Sequence, residues 1–252
     1  MDSYTSFAKV YDMFMDNIPY EEWCEYLVSL LKKYGCNDGL VADLGCGTGT
    51  LTRLLSSKGY DMIGVDNSQD MLSIAMEHQQ DKESNILYLL QDMREFELYG
   101  TVNAVVSICD SINYILEEEE LVQVFKLVNN YLNPGGVFIF DCNTLFKYRQ
   151  MGDSVIAENR EEGSFIWEND FSEEDHINIY DLTLFIQKEE EKNCYYKYEE
   201  THYQRGYTLE QMKDCIRASG MELLAIYDAF TMNPPTNESE RVYFVARERG
   251  KQ

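Results

Sequence analysis

A short apolar run, Leu40–Leu44, stops against three glycines at alternate positions, Gly45, Gly47 and Gly49, and leads straight into Leu51, Leu54 and Leu55 at helical spacing. A strand that empties through such a loop into a helix commits the chain to an α/β architecture. Gly45 and Gly47 free the backbone to turn tightly against a ligand, and Gly49 permits close packing where the helix begins. The spacing is GxGxG, not the GxGxxG of dinucleotide folds, and it lacks the Lys-Ser/Thr ending of a P-loop. Asp43, at the mouth of the loop, would repel a pyrophosphate and welcome an ammonium group.

The same alternation recurs along the chain. Apolar spacing predicts a first helix over 21–34, strands over 40–44, 62–65, 86–90, 104–109 and 137–140, and helices over about 51–58, 69–80 and 118–132. Four glutamates, Glu117–Glu120, suit the positive end of the last helix, and Asn133-Pro134-Gly135-Gly136 turns the chain out of it. Short strands separated by helices of this length predict βαβ units in a mostly parallel sheet. Near the end, Thr208-Leu209-Glu210-Gln211 is a capping box, followed by a helix to Ser219 and two strands, 223–230 and 241–246, too close for a crossover helix and so antiparallel. Composition shifts after residue 143. Between Glu161 and Glu200 there are 13 acidic residues and only three basic ones, yet alternating apolar segments persist, which predicts an antiparallel β-rich insert with an acidic outer face.

Charge narrows the partners. With 45 Asp and Glu against 21 Lys and Arg, the net charge of -24 repels nucleic-acid backbones and anionic lipid, and it tolerates a cationic or neutral small molecule. No apolar run is long enough to span a bilayer, and no basic stretch precedes an apolar one at the N-terminus; seven scattered cysteines without a CxxC pair fit free thiols. A cytoplasmic protein without a membrane or nucleic-acid partner is expected. The three histidines offer no metal-ligand spacing, so no metal site is predicted. Pairing two copies through an acidic insert would crowd like charge, so a monomer is expected, with a homodimer as the alternative.

Two further acids extend the glycine loop into a site. Asp66 follows the second strand, where a carboxylate binds both hydroxyls of a ribose, and Asp92 closes the third, where it accepts from an adenine amino group with Met93 packed on the base. Three acids at the ends of consecutive strands describe a ligand with an amine, a ribose and an adenine but no phosphate, namely S-adenosylmethionine. Over residues 36–143 the chain resembles the class I S-adenosylmethionine-dependent methyltransferases: Asp43–Gly49 is similar to their first motif, Asp66 to their acidic ribose residue, Asp92-Met93 to their adenine-side pair and Cys109–Tyr114 to the segment under the sulfonium. The Tyr4–Asp12 segment and the β-insert resemble small-molecule N-methyltransferases of the glycine and amino-sugar type. The resemblance implies a Rossmann-like sheet of seven strands in order 3-2-1-4-5-7-6 with strand 7 antiparallel. It implies a core of residues 1–144 and 206–252 with an N-terminal helical cap, and residues 145–205 as a β-rich substrate lid. It implies a cofactor set of Tyr11, Asp43, Gly45, Cys46, Gly47, Asp66, Asn67, Met71, Asp92, Met93 and Cys109.

The expected activity is methyl transfer to a small molecule on an amine nitrogen. The alternatives are transfer to a hydroxyl, and a protein that binds the cofactor without catalysis. Methyl transfer depends chiefly on positioning and on excluding water. For the acceptor site the candidates are Tyr11, Asn113 and His202, with Asp110, Tyr203 and Arg205 as further polar groups. His202 lies in an alternating strand, where a surface position is the competing reading. A dinucleotide oxidoreductase is disfavoured by the loop spacing and Asp43. A DNA amino-methylating enzyme is disfavoured by charge and by the lack of an Asn/Asp-Pro-Pro-Tyr motif, since Asn233-Pro234-Pro235-Thr236 ends in Thr and does not follow strand four.

Overall fold

A seven-stranded, mostly parallel sheet carries the predicted order. The computed structural model describes residues 19–79, 85–160, 163–188 and 194–251. Its sheet is built from β1 (Gly39–Leu44), β2 (Tyr60–Asp66), β3 (Leu87–Leu90), β4 (Val102–Ser107), β5 (Leu132–Asn143), β10 (Glu222–Asp228) and β11 (Arg241–Arg247), in the order β3-β2-β1-β4-β5-β11-β10. β11 runs antiparallel to both β5 and β10. This is the order the family resemblance implied, with β11 as its seventh strand. Because β1, β2 and β4 point the same way, their C-terminal ends and the loops after them share one edge.

Helices cover both faces. α1 (Tyr20–Lys33) buries Trp23, Leu27, Leu30 and Leu31 on one stripe, has Glu21 and Glu22 in its first turn and Lys32 and Lys33 in its last, and so satisfies both packing and the helix dipole. α2 (Thr50–Ser57) follows the glycine loop, and α3 (Gln69–Gln79) follows β2. α4 (Glu118–Tyr131) presents Leu121, Val124, Phe125 and Val128 to Phe138 and Phe140 of β5. Each such side chain, fully buried, contributes about 1.5–3 kcal/mol. α6 (Leu209–Ala218) begins at the predicted capping box, with Thr208 accepting from the Gln211 N–H.

Three differences from the sequence expectation bear on the site. β5 starts at Leu132, and Asn133–Gly136 bulges out of the ladder, with Leu132 opposite Val102 but Val137 already opposite Ala104. β4 ends at Ser107, not Cys109, for reasons found at the site. The insert opens with a helix, α5 (Leu145–Met151), because the Thr144 hydroxyl caps the Lys147 N–H and Leu145 and Tyr148 bury the inner face. Only then come β6 (Val155–Asn159), β7 (Gly163–Ser172), β8 (Ile177–Gln187) and β9 (Tyr195–Arg205), a four-stranded antiparallel sheet in chain order. On its outer face Glu168, Asp170, Asp181 and Glu199 are exposed, alongside Ile166 and Tyr203.

Candidate active site

The glycine loop is fixed from below and from the side. Asp43 at the end of β1 is buried beneath it, and its Oδ2 accepts from the Thr52 hydroxyl of α2 at 2.6 Å. Asp43 lines the cavity at the loop and is nonetheless only 2% exposed, and Thr52 on the first turn of α2 offers it the donor that a buried acid requires. Burial pushes its carboxyl up to about 7, against the pull of Thr52, and the nearby Asp66 adds to the rise. Gly45 has φ 75°, and a Cβ there would stand 2.5 Å from the Ser111 hydroxyl, so no side chain fits. Gly47, at φ 54°, has nothing within 4 Å of that position and shows bare backbone to the cavity.

Asp66 closes the loop. Its Oδ2 accepts from the Gly47 N–H at 2.8 Å and its Oδ1 from the Ser68 N–H at 2.9 Å. Each oxygen keeps lone-pair capacity for a hydroxyl donor. Burial raises the carboxyl above its ordinary value, and the backbone donors oppose that rise. Asp92, half-buried, accepts from both the N–H and the guanidinium of Arg94, which also reaches Glu120. Burial would raise Asp92, but the Arg94 bonds win and hold it below the usual carboxylate range.

These groups line a cavity of about 370 Å³, within the range of small-molecule pockets. The loop residues Asp43, Gly45, Cys46 and Gly47 form one wall. Asp66, Asn67 and Met71 form the second, Asp92 and Met93 the third, and Cys109, Ser111 and Tyr114 the far end. Every candidate cofactor residue therefore meets at one cavity except Tyr11, which lies outside the described residues. The fit to S-adenosylmethionine is chemical as well as spatial. The charged lining consists of three carboxylates and one guanidinium already paired with a carboxylate, and the cradle over Gly47 leaves room for a ligand that a Cβ would fill.

The far end is assembled from distant parts of the chain. After β4 the backbone takes two consecutive left-handed residues, Cys109 at φ 62° and Asp110 at φ 53°, at a cost of about 1–3 kcal/mol each. This turn ends β4 early. It is held by Asp141 of β5, whose Oδ1 accepts from the Asp110 N–H at 2.8 Å, and by Arg241 of β11. The Arg241 guanidinium donates to Asp141 Oδ2 and Asp110 Oδ1, both at 2.5 Å, and its cation lies 5.2 Å from the Trp23 ring. Burial disfavours its charge, but the two carboxylates prevail and its pKa stands well above the ordinary guanidinium value. Gln204 of β9 donates to Asp110 Oδ2 at 2.7 Å.

The acceptor candidates separate here. Asn113 is fully buried and does not line the cavity. Its amide donates to the carbonyls of Asn143 and Arg205 and accepts from the Asn143 N–H, and so ties β5 to β9. His202 is buried, not on the surface, because period two puts 200, 202 and 204 on the inner face of β9 and leaves Tyr203 exposed on the other. It does not line the cavity itself; its Nδ1 lies 3.4 Å from the hydroxyl of Tyr114, which does. Arg205 donates to the Leu116 carbonyl and sits over the Tyr207 ring. Tyr114 closes the Cys109–Tyr114 segment that the sequence marks, but no local signal points to Arg241, Asp141 or Gln204, which reach the turn from 31 to 131 residues away.

Residues 41–136 match the family model described as a methyltransferase domain. The chain is 34% identical to YqeM of Bacillus subtilis (strain 168), a protein assigned to the methyltransferases, over 97% of this chain and 96% of the other. A solved S-adenosylmethionine-dependent methyltransferase from Clostridium acetobutylicum superposes with a TM-score of 0.87 at 26% identity, covering 98% of this chain and 99% of that one. Over 53% of this chain and 56% of the other there is 29% identity to the dTDP-3-amino-3,4,6-trideoxy-alpha-D-glucopyranose N,N-dimethyltransferase of Streptomyces venezuelae.

Proposed function

Because the chain belongs to the class I S-adenosylmethionine-dependent methyltransferases, we propose that it methylates the amine nitrogen of a small molecule. The observation that carries this reading is the charge of the cavity. Asp66, Asp92 and, when ionised, Asp43 line it against Arg94 alone, and Arg94 is shared between Asp92 and Glu120, so the lining carries no unbalanced positive charge. Such a site favours a cationic or neutral ligand and disfavours an acidic one. The partial likeness to an amino-sugar N,N-dimethyltransferase points the same way.

When bound, the cofactor supplies an electrophilic methyl group. The chain's own residues do the rest. Asp66 offers acceptor oxygens to ribose hydroxyls, Asp92 and Met93 provide the adenine side, and Asp43, its carboxyl raised to about 7 by burial, supplies negative charge to the cationic end of the ligand when it ionises. The turn at Cys109–Asp110 brings the backbone against the far end of the cavity. Residues 145–205 act in this reading as a lid, supported by the bonds that β9 makes to the site through Gln204, His202 and the Arg205 carbonyl. Closing it excludes water from the reacting atoms. Tyr11 belongs to the same proposal by sequence resemblance alone.

The test is a metabolite-extract screen with methyl-labelled cofactor and mass spectrometry of the product. A label on nitrogen of a soluble metabolite is expected. A label found on a hydroxyl oxygen, or on RNA, DNA or protein with no small-molecule product, would sink the proposal.

A further inference from the structure

The far wall of the cavity is backed by a chain of three polar side chains from two separate elements. Tyr114 lies on the short 3-10 helix Ser111–Tyr114 and borders the cavity. Its hydroxyl is 3.4 Å from His202 Nδ1, with the two rings edge to face at 6.0 Å between centroids. On the other side of the imidazole, His202 Nε2 lies 3.3 Å from Glu200 Oε2, and the two side chains are only 5% and 7% exposed. Tyr180 of β8 stands opposite His202 in the ladder. Asp110, bonded to Gln204 and Arg241, fixes the turn that carries the 3-10 helix.

A buried carboxylate on one imidazole nitrogen selects the tautomer with the proton on Nε2 and leaves Nδ1 as an acceptor. Nδ1 then faces the hydroxyl of Tyr114, the one residue of these three that borders the cavity. This is the geometry of a nucleophile, base and orienting acid, with a tyrosine hydroxyl in the first place.

Building on the amine-acceptor reading, we propose that Tyr114 and His202 remove the proton that an ammonium acceptor must lose before it is methylated, and that Glu200 is the positioning residue that sets the imidazole tautomer. In the step, one N–H bond of the ammonium breaks and its electron pair stays on nitrogen. The proton forms a new O–H bond at Tyr114 as the original hydroxyl proton moves to His202 Nδ1. Tyr114 is thus neutral before and after, and the charge comes to rest on an imidazolium beside the Glu200 carboxylate, which offsets the cost of burying it. The neutral amine keeps a free lone pair for the methyl group, and His202 returns its proton to water when the lid opens.

The first measurement needs no turnover: nitrogen-15 imidazole resonances of His202 in the complex with S-adenosylhomocysteine. The expected state is Nε2–H with Nδ1 accepting. Glu200→Ala should mix the tautomers and Glu200→Gln should restore the wild-type pattern, a result that mere loss of packing would not give. A His202 found with its proton on Nδ1 in the wild type overturns the proposal. The second measurement uses methyl-labelled cofactor and a panel of amino sugars and aliphatic amines. Tyr114→Phe and His202→Gln should lower turnover by about 10²–10⁴-fold while S-adenosylhomocysteine affinity stays within a few-fold. Turnover by Tyr114→Phe within two-fold of wild type would overturn the relay and leave the amine reading standing. Transfer by the wild type to a hydroxyl and to no amine would overturn the amine reading, and the ammonium step with it.

Discussion

The two ends of the cavity are built in opposite ways. At the glycine loop the contacts are short in sequence: Asp43 to Thr52 spans nine residues, Gly47 to Asp66 nineteen, and Asp92 to Arg94 two. At the Tyr114 end they are long: Gln204 to Asp110 spans 94 residues, Tyr114 to His202 88, and Arg241 to Asp110 131. The first end is completed within successive βα units, and the second needs β5, β9 and β11 all in place. Cofactor binding and acceptor chemistry therefore rest on parts of the molecule with different folding requirements, and they should respond differently to substitution.

The largest effect is expected at Arg241. Arg241→Ala removes the cation that Asp141 and Asp110 share, leaves Asp141 buried and unpaired, and releases the left-handed turn at Cys109–Asp110. Loss of one partner of a buried pair costs about 3–5 kcal/mol, read as a fall in the urea midpoint. A loss of less than 1 kcal/mol would show that the long-range end does not depend on this cluster.

Asp43 gives a test of similar size but opposite sign at the local end. Its folded pKa of about 7 lies above the ordinary 3.8 because burial disfavours the charge. The native state therefore holds a proton that the unfolded chain loses, and stability falls as pH rises from about 4 to about 7. Over that window the cost reaches about 4 kcal/mol. Asp43→Asn keeps an acceptor for Thr52 and removes the ionisation. It should abolish this part of the pH dependence, make the free protein more stable than wild type at pH 8, and weaken binding of the cationic cofactor. Unfolding curves at pH 4.5 and 8 check it, and identical pH slopes in variant and wild type would refute it.

The smallest effect is expected at Arg94. Its guanidinium is 47% exposed where it pairs with Asp92, and such pairs contribute about 0.2–1 kcal/mol. Arg94→Ala should change thermal stability little and cofactor affinity at most a few-fold. A large loss of affinity would mean that Arg94 itself contacts the ligand, which would make the local end less self-contained than its bonds show.

Most of the glycine-loop end was legible in the sequence, because the information lies within a few residues of each strand end. Asp43, Asp66 and Asp92 each lie within two residues of a strand's C-terminal end, and parallel strands deliver those ends to one edge. Even so, the burial of Asp43 was not legible, since a nine-residue reach to Thr52 depends on how α2 packs. The insert was legible as alternating strands but not in its opening: Leu145–Met151 is too short for a helical period to stand out, and only the Thr144 cap and the burial of Leu145 and Tyr148 make it a helix.

By itself the sequence determined the order of elements, the loop that turns at Gly45 and Gly47, and the acids that ring it, because hydrophobic period and positive-φ glycines act over one or two turns of chain. The tertiary structure decided what faces the reacting end. Only the docking of β9 from the insert against the 3-10 helix, 88 residues earlier in the chain, brings the His202 imidazole to Tyr114, and only the ladder between β5 and β11 sets Arg241 over two carboxylates. Asn113 shows the limit most plainly. As a residue type it suits catalysis, but packing has given its whole amide to the backbones of Asn143 and Arg205. Hydrogen-bond capacity is spent where the folded neighbours are, and those neighbours are set by strand order and register, which no local stretch of sequence encodes.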